Sequence, residues 1–137
     1  MVAIARIGGE GIEGVSAAVE TVLALLPAWR LLIRRGARVF VKPNLCAADT
    51  IGTTSALVTA SVVRLAYRAG AGEVTVGDSA VVGGDMEEIL RVTGTRVLCE
   101  REGARVLDLA GLERTTVPVP MGELRSSIEV FRLPVEA

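Results

Sequence analysis

The hydrophobic pattern of this chain changes period repeatedly, from two to near four and back. Val2 to Ile7 is apolar and β-branched and reads as a first strand, broken by Gly8-Gly9-Glu10-Gly11. From Ile12 the apolar positions Val15, Ala18, Val19, Val22 and Leu26 recur at three- and four-residue steps, which predicts a helix. Glu13 and Glu20 stand toward its start and Arg30, Arg34 and Arg35 toward the end of the segment, the order that complements a helix dipole. Pro27 is expected to end this helix and open a short second one, and Gly36 to close the segment.

Arg38 to Val41 predicts a second strand, stopped by Lys42-Pro43-Asn44. Ser55 to Ala69 then reads as a helix with Val58, Val62, Leu65, Ala66 and Ala69 on its apolar stripe, leaving Ser61, Arg64 and Arg68 facing outward. Glu73 to Val76 is a third strand ending at Gly77-Asp78-Ser79, and a small-residue loop through Gly83-Gly84 leads to a helix from about Asp85 to Val92. Thr93-Gly94 interrupts it, Arg96 to Glu102 resumes it, and Arg105 to Leu109 is a fourth strand. In the tail, Thr115 to Pro120 is extended, yet its two prolines bar a central strand position. Met121-Gly122-Glu123 predicts a turn and Ser126 to Leu133 a returning strand, together an edge hairpin.

Four strand-then-helix units in succession predict one α/β domain over residues 1–137. Its expected form is a mostly parallel, open, Rossmann-like sheet with helices on both faces and a C-terminal edge hairpin. Parallel strands joined by right-handed crossovers end along one rim, and ligands of open α/β sheets meet that rim. Lys42, Asn44, Asp78, Ser79 and Asp108 all map to it.

Composition narrows the chemistry. Half of the 137 residues are apolar, enough for a core without staples. Fifteen basic against sixteen acidic side chains give a net charge of −1, so there is no electrostatic footprint for nucleic acid or an anionic membrane. Four aromatic residues are too few for a base-stacking platform. The N-terminus lacks the pattern of a signal peptide, and the longest apolar run, Val22 to Trp29, contains a proline and is shorter than a membrane span, so a cytoplasmic location is expected. Histidine is absent, which removes Ser-His and Cys-His catalysis and the usual zinc sites. Cys46 and Cys99 are far apart and in no metal-ligand spacing, so no metal site is assigned and no iron–sulfur cluster is expected from this chain alone. Lys42 is the one lysine among fourteen arginines, a hint that its position needs a compact ammonium.

Each constellation has a functional and a plain structural explanation. Gly9-Glu10-Gly11-Ile12-Glu13-Gly14 matches G-x-G-x-x-G between a predicted strand and helix, the context of a dinucleotide fingerprint. Glu10 places a negative charge in that loop, however, and the second strand ends in Lys42 where an acidic residue would hold a ribose. Lys42, with Thr53-Thr54-Ser55 opening the next helix, has the groups to hold a small anion. Equally, Lys42 pairs with Asp78 as a structural ion pair and Ser55 or Thr54 is an ordinary N-cap. Asp78 and Ser79 either meet a ligand or cap their own loop. Arg30, Arg34, Arg35 and Arg38 read as a solvated helix end, and Cys46 as an inert thiol rather than one activated by Lys42.

At Val39-Phe40-Val41-Lys42-Pro43-Asn44-Leu45-Cys46 the chain resembles the V-x-x-K-P-N signature of the domain of unknown function 362 family. The likeness continues through Thr53-Thr54, Ala69-Gly70-Ala71, Val76-Gly77-Asp78-Ser79, Thr93-Gly94 and Gly103 to Leu109. The resemblance implies an α/β domain of undefined biochemical role, often accompanied by a ferredoxin-like iron–sulfur module, with Lys42, Asn44, Thr54, Asp78 and Ser79 as site residues. Ser55-Ala56 stand where the family often has histidine or aspartate before proline, and the cysteines of the iron–sulfur module are missing. The chain is accordingly expected to be the first half of a longer polypeptide, or a small homologue completed by homo-oligomerisation or another association. The expected role is binding of a small anionic molecule through Lys42, Asn44, Thr53, Thr54, Asp78 and Ser79. The alternatives are a dinucleotide module using Gly9, Gly11 and Gly14, or a non-catalytic domain completed by a partner or a second copy. No catalytic residue is assigned.

Overall fold

The computed structural model describes residues 2–26, 29, 33–49, 51–81, 83–121 and 125–137. The turn expected at Pro27, the Arg30 member of the arginine cluster and the Gly122-Glu123 turn lie outside these residues.

Helix α1 spans Gly11–Ala24, followed by strand β1 (Arg38–Val41), helix α2 (Ala56–Arg68) and strand β2 (Glu73–Asp78). Helices α3 (Met86–Val92) and α4 (Thr95–Arg101), strands β3 (Arg105–Asp108), β4 (Arg114–Pro118) and β5 (Ser127–Phe131), and helix α5 (Arg132–Glu136) complete the order. β1, β2 and β3 form a parallel sheet in that order, while β4 and β5 pair antiparallel in a separate two-stranded sheet.

Register fixes which side chains share a face. Val39 is opposite Val74, Val41 opposite Val76 and Val76 opposite Val106, so alternation puts these valines on one side. They join Ala60, Val63 and Ala66 of α2, Ile89 and Leu90 of α3 and Cys99 of α4 in a single core. Each such valine or leucine contributes roughly 1.5–3 kcal/mol by leaving water. Both crossovers run in the same direction across the sheet, so α2 and the α3–α4 pair cover the same face. Burial pushes the Cys99 thiol up to about 12, which makes it an inert core side chain at neutral pH.

The opposite face carries Phe40, Thr75, Gly77 and Leu107, aligned across the strands. It is met by the C-terminal segment: Leu133 and Ala137 border a shallow cleft with Phe40 and Thr75, and the Arg38 guanidinium donates to the Glu136 carbonyl. Among the described residues, α5 is the helix that borders this second face.

Three sequence expectations change. Val2 to Ile7 is not a strand: it pairs with no described strand, and Val2 and Ile4 are 87% and 85% exposed. Ala5 and Ile7 instead border a depression with Val15, Ala18 and Val19 of α1, and α1 packs on α2. That packing buries Ser61, expected on the solvent side of α2. Its hydroxyl donates to the Leu57 carbonyl and accepts from Ser16 of α1, so both small polar groups are satisfied where the helices meet. The hairpin does not extend the parallel sheet: β4 and β5 pair with each other in a separate two-stranded sheet. The last strand also stops at Phe131, and Pro134 sits in the first turn of α5, where proline is tolerated.

Arg64 ties three helices together. Its Nε and Nη2 donate to the two carboxylate oxygens of Glu102, each at 2.8 Å, and its Nη1 donates to Glu13. The hydrogen bonds from Arg64 hold Glu102 below the ordinary carboxylate range, against the opposing effect of burial. A carboxylate held low stabilises the fold above its unfolded pKa, and that contribution fades as pH falls through the folded value. Glu102→Gln is therefore expected to cost about 1–3 kcal/mol at neutral pH. Urea titrations at neutral pH and at a pH below the ordinary carboxylate range should show this gap narrowing at the lower pH. A gap that is the same at both pH values would contradict an ionic clamp.

Candidate functional site

The rim at the carboxyl ends of β1 and β2 is organised by one buried carboxylate. Asp78 ends β2 with its side chain 8% exposed, and three donors converge on it. The Lys42 ammonium lies 2.8 Å from Oδ1, the Ser79 N–H donates to the same oxygen at 2.9 Å, and the Leu45 N–H donates to Oδ2 at 3.0 Å. Parallel pairing makes this possible. Val41 is in register with Val76, so the chain leaves β1 at Lys42 beside Gly77, within reach of Asp78. Leu45 and Pro43 are themselves buried, which fixes the turn after Lys42 against the core.

Lys42 gives up little freedom in this pairing: its side chain remains 58% exposed, and an ammonium with three N–H donors keeps capacity beyond the one carboxylate. Lys42 borders a cavity of about 450 Å³ together with Asp78, Ser79 and Leu109. The outer wall comes from the tail, through Arg114, Val130 and Phe131 of the hairpin and Pro134 and Val135 of α5. Gly77 lets Leu109 and Phe40 pack closely against β2 beside this cavity. A Cβ there would stand 3.1 Å from Leu109 Cδ2 and 3.3 Å from Phe40 Cε2, tighter than packed carbons accept. The Ser79 hydroxyl is half-buried and bonds no described protein group.

The other predicted residues lie elsewhere. Asn44 and Thr54 clasp each other across the loop before α2: the Asn44 N–H donates to the Thr54 hydroxyl, the Thr54 N–H to the Asn44 carbonyl, and Asn44 Nδ2 to the Gly52 carbonyl. Thr54 is thus not an N-cap, and Ser55, at the cap position of α2, makes no side-chain capping bond. Thr53 donates to the Ala47 carbonyl and, with Thr54 and Ser55, lines a depression distinct from the Lys42 cavity. Asp108 lies beside Asp78 in the sheet register, but its carboxylate accepts from Ala110 within its own turn.

The glycine loop has a packing explanation. A Cβ on Gly14 would lie 2.4 Å from the Gly9 carbonyl oxygen, and Gly11 opens α1 at φ +65. Gly9, Gly11 and Gly14 do not border the Lys42 cavity, and the segment ahead of them is not a sheet strand. Cys46 is half-buried and forms no disulfide with Cys99. Among the described residues no cluster of three or more Asp, Glu or Cys side chains is arranged to hold a metal, and no helix is long and apolar enough to cross a membrane.

Sequence reasoning missed the outer wall, above all Arg114 and Phe131. These two are directly opposite in the hairpin, and the guanidinium sits 4.9 Å over the ring. The signal available was the alternation within the returning strand, which gave a hairpin but not the surface it would cover.

The geometry separates an anchor from a reaching group. Asp78→Asn should cost about 2–4 kcal/mol in chemical denaturation, because an amide presents N–H to at least one converging donor. Lys42→Met should cost under about 1 kcal/mol, as for an exposed ion-pair partner. Equal losses at the two positions would make the pair structural throughout.

No curated protein and no solved structure matches the chain. Residues 39–137, which carry the whole rim, match the family described as a domain of unknown function, DUF362. The chain belongs to that family.

Proposed function

We propose that this chain is a binding domain for a small anionic molecule, taken up at the carboxyl-terminal rim of its parallel strands. In this reading the Lys42 ammonium supplies the charge, Ser79 a hydroxyl, and Asp78 the anchor that aims both. The observation that carries it is a lysine that is held at 2.8 Å by a buried carboxylate and borders a cavity of ligand size. It treats the fold as an open, Rossmann-like sheet, in which ligands meet this rim, and the protein as cytoplasmic. Thr53, Thr54 and Asn44 then serve the loop that positions α2 rather than the ligand, and the dinucleotide reading loses its strand.

Calorimetric titration with acetate tests the reading. The wild-type chain is expected to bind it saturably, and Lys42→Met to bind at least about tenfold more weakly, the loss of one charge-assisted hydrogen bond. Equal affinity in both proteins would contradict it.

A second reading is a non-catalytic domain completed by association, and Val2 to Ile7 favours it. The segment is rich in β-branched residues, it makes no hydrogen bond to a described residue, and it projects two nearly bare side chains. Sedimentation over a range of concentrations is expected to show self-association, whereas a clean monomer at the highest concentration would count against it.

A further inference from the structure

The wall facing Lys42 says more about the ligand than the charge does. Leu109, Val130, Phe131, Pro134 and Val135 present mainly hydrocarbon to the cavity, and the hairpin and α5 that carry most of them belong to neither the sheet nor its helices. Leu109 is itself buried, but Val130 and Phe131 are half-buried and Val135 is exposed, so apolar surface remains on the tail, apart from the main core on the opposite face of the sheet.

The charges at the mouth are nearly balanced. Lys42 faces Asp78, and Arg114 reaches Glu129 at 3.6 Å while stacking over Phe131. Two cations beside two carboxylates leave no net positive charge, so a single anionic head is held through the spare N–H donors of Lys42, and a second negative charge would meet Asp78 or Glu129. A polyanion such as a nucleotide phosphate chain gains little here. A single acidic head with an apolar body satisfies both parts of the cavity.

We infer that the ligand is an amphipathic monocarboxylic acid. Its carboxylate is held by Lys42 and the Ser79 hydroxyl, and its hydrocarbon body lies against Leu109, Phe131 and Val135. The inference rests on the anion-binding reading above and adds the chemical class of the ligand. It also gives the tail a function, because the hairpin and α5 form the apolar half of the site.

Titration of the full chain with hexanoate, acetate and hexanamide, followed by calorimetry, tests it. Hexanoate is expected to bind at least about tenfold more tightly than acetate, since several methylenes leave water. It should also bind more tightly than hexanamide, which lacks the charge. Phe131→Ala should shrink the advantage over acetate, and Lys42→Met the advantage over hexanamide. Because Phe131→Ala could loosen the hairpin, Val135→Ser, at an exposed position of α5, provides a second variant with the same expected direction. Hexanoate and acetate binding alike would overturn the amphipathic ligand while leaving the anion site standing. Hexanamide equalling hexanoate, or no binding by either acid, would overturn both.

Discussion

A carboxylate with three donors gathered on it sets the geometry of this molecule's working rim. Asp78 is buried at the end of β2, where an unpartnered charge would be costly, and the chain supplies the Leu45 and Ser79 N–H groups and the Lys42 ammonium. The turn after β1, the exit from β2 and the direction of the lysine are thereby coupled. Of these partners only Lys42 is substantially exposed. Burial of the anion thus orients a cation that points away from the core.

The sheet assigns its two faces different work. Helices α2, α3 and α4 cover the valine face and form the core with it. The other face, with Phe40, Thr75, Gly77 and Leu107, receives the tail among the described residues. A short hairpin and a five-residue helix cover it incompletely, and the space they leave is the cavity at Lys42. Belonging to DUF362 is consistent with this division, for the matched region begins at β1 and includes the tail.

Much of this was legible in the residues. The periodicity of Val39 to Val41, Ala56 to Arg68 and Val74 to Val76 fixed the parallel strands and the helix between them, and the strand ends then brought Lys42 near Asp78. What could not be read was tertiary choice. Val2 to Ile7 has strand chemistry, but α1 docks on α2 through Ser16 and Ser61, a contact that no local pattern announces. Thr54 looks like a cap and is instead spent on Asn44. Arg114 and Phe131 had no signal in sequence tying them to Lys42, because a hairpin's pairing does not specify what it lies against.

The chain's single lysine makes the central claim directly observable. In protein carrying carbon-13 lysine, the side-chain methylene next to the ammonium gives one resonance, which belongs to Lys42. Titration with acetate is predicted to move that resonance saturably, while acetamide leaves it in place. A resonance indifferent to both would mean that Lys42 serves only Asp78, and the rim would then have no claim to be a binding site.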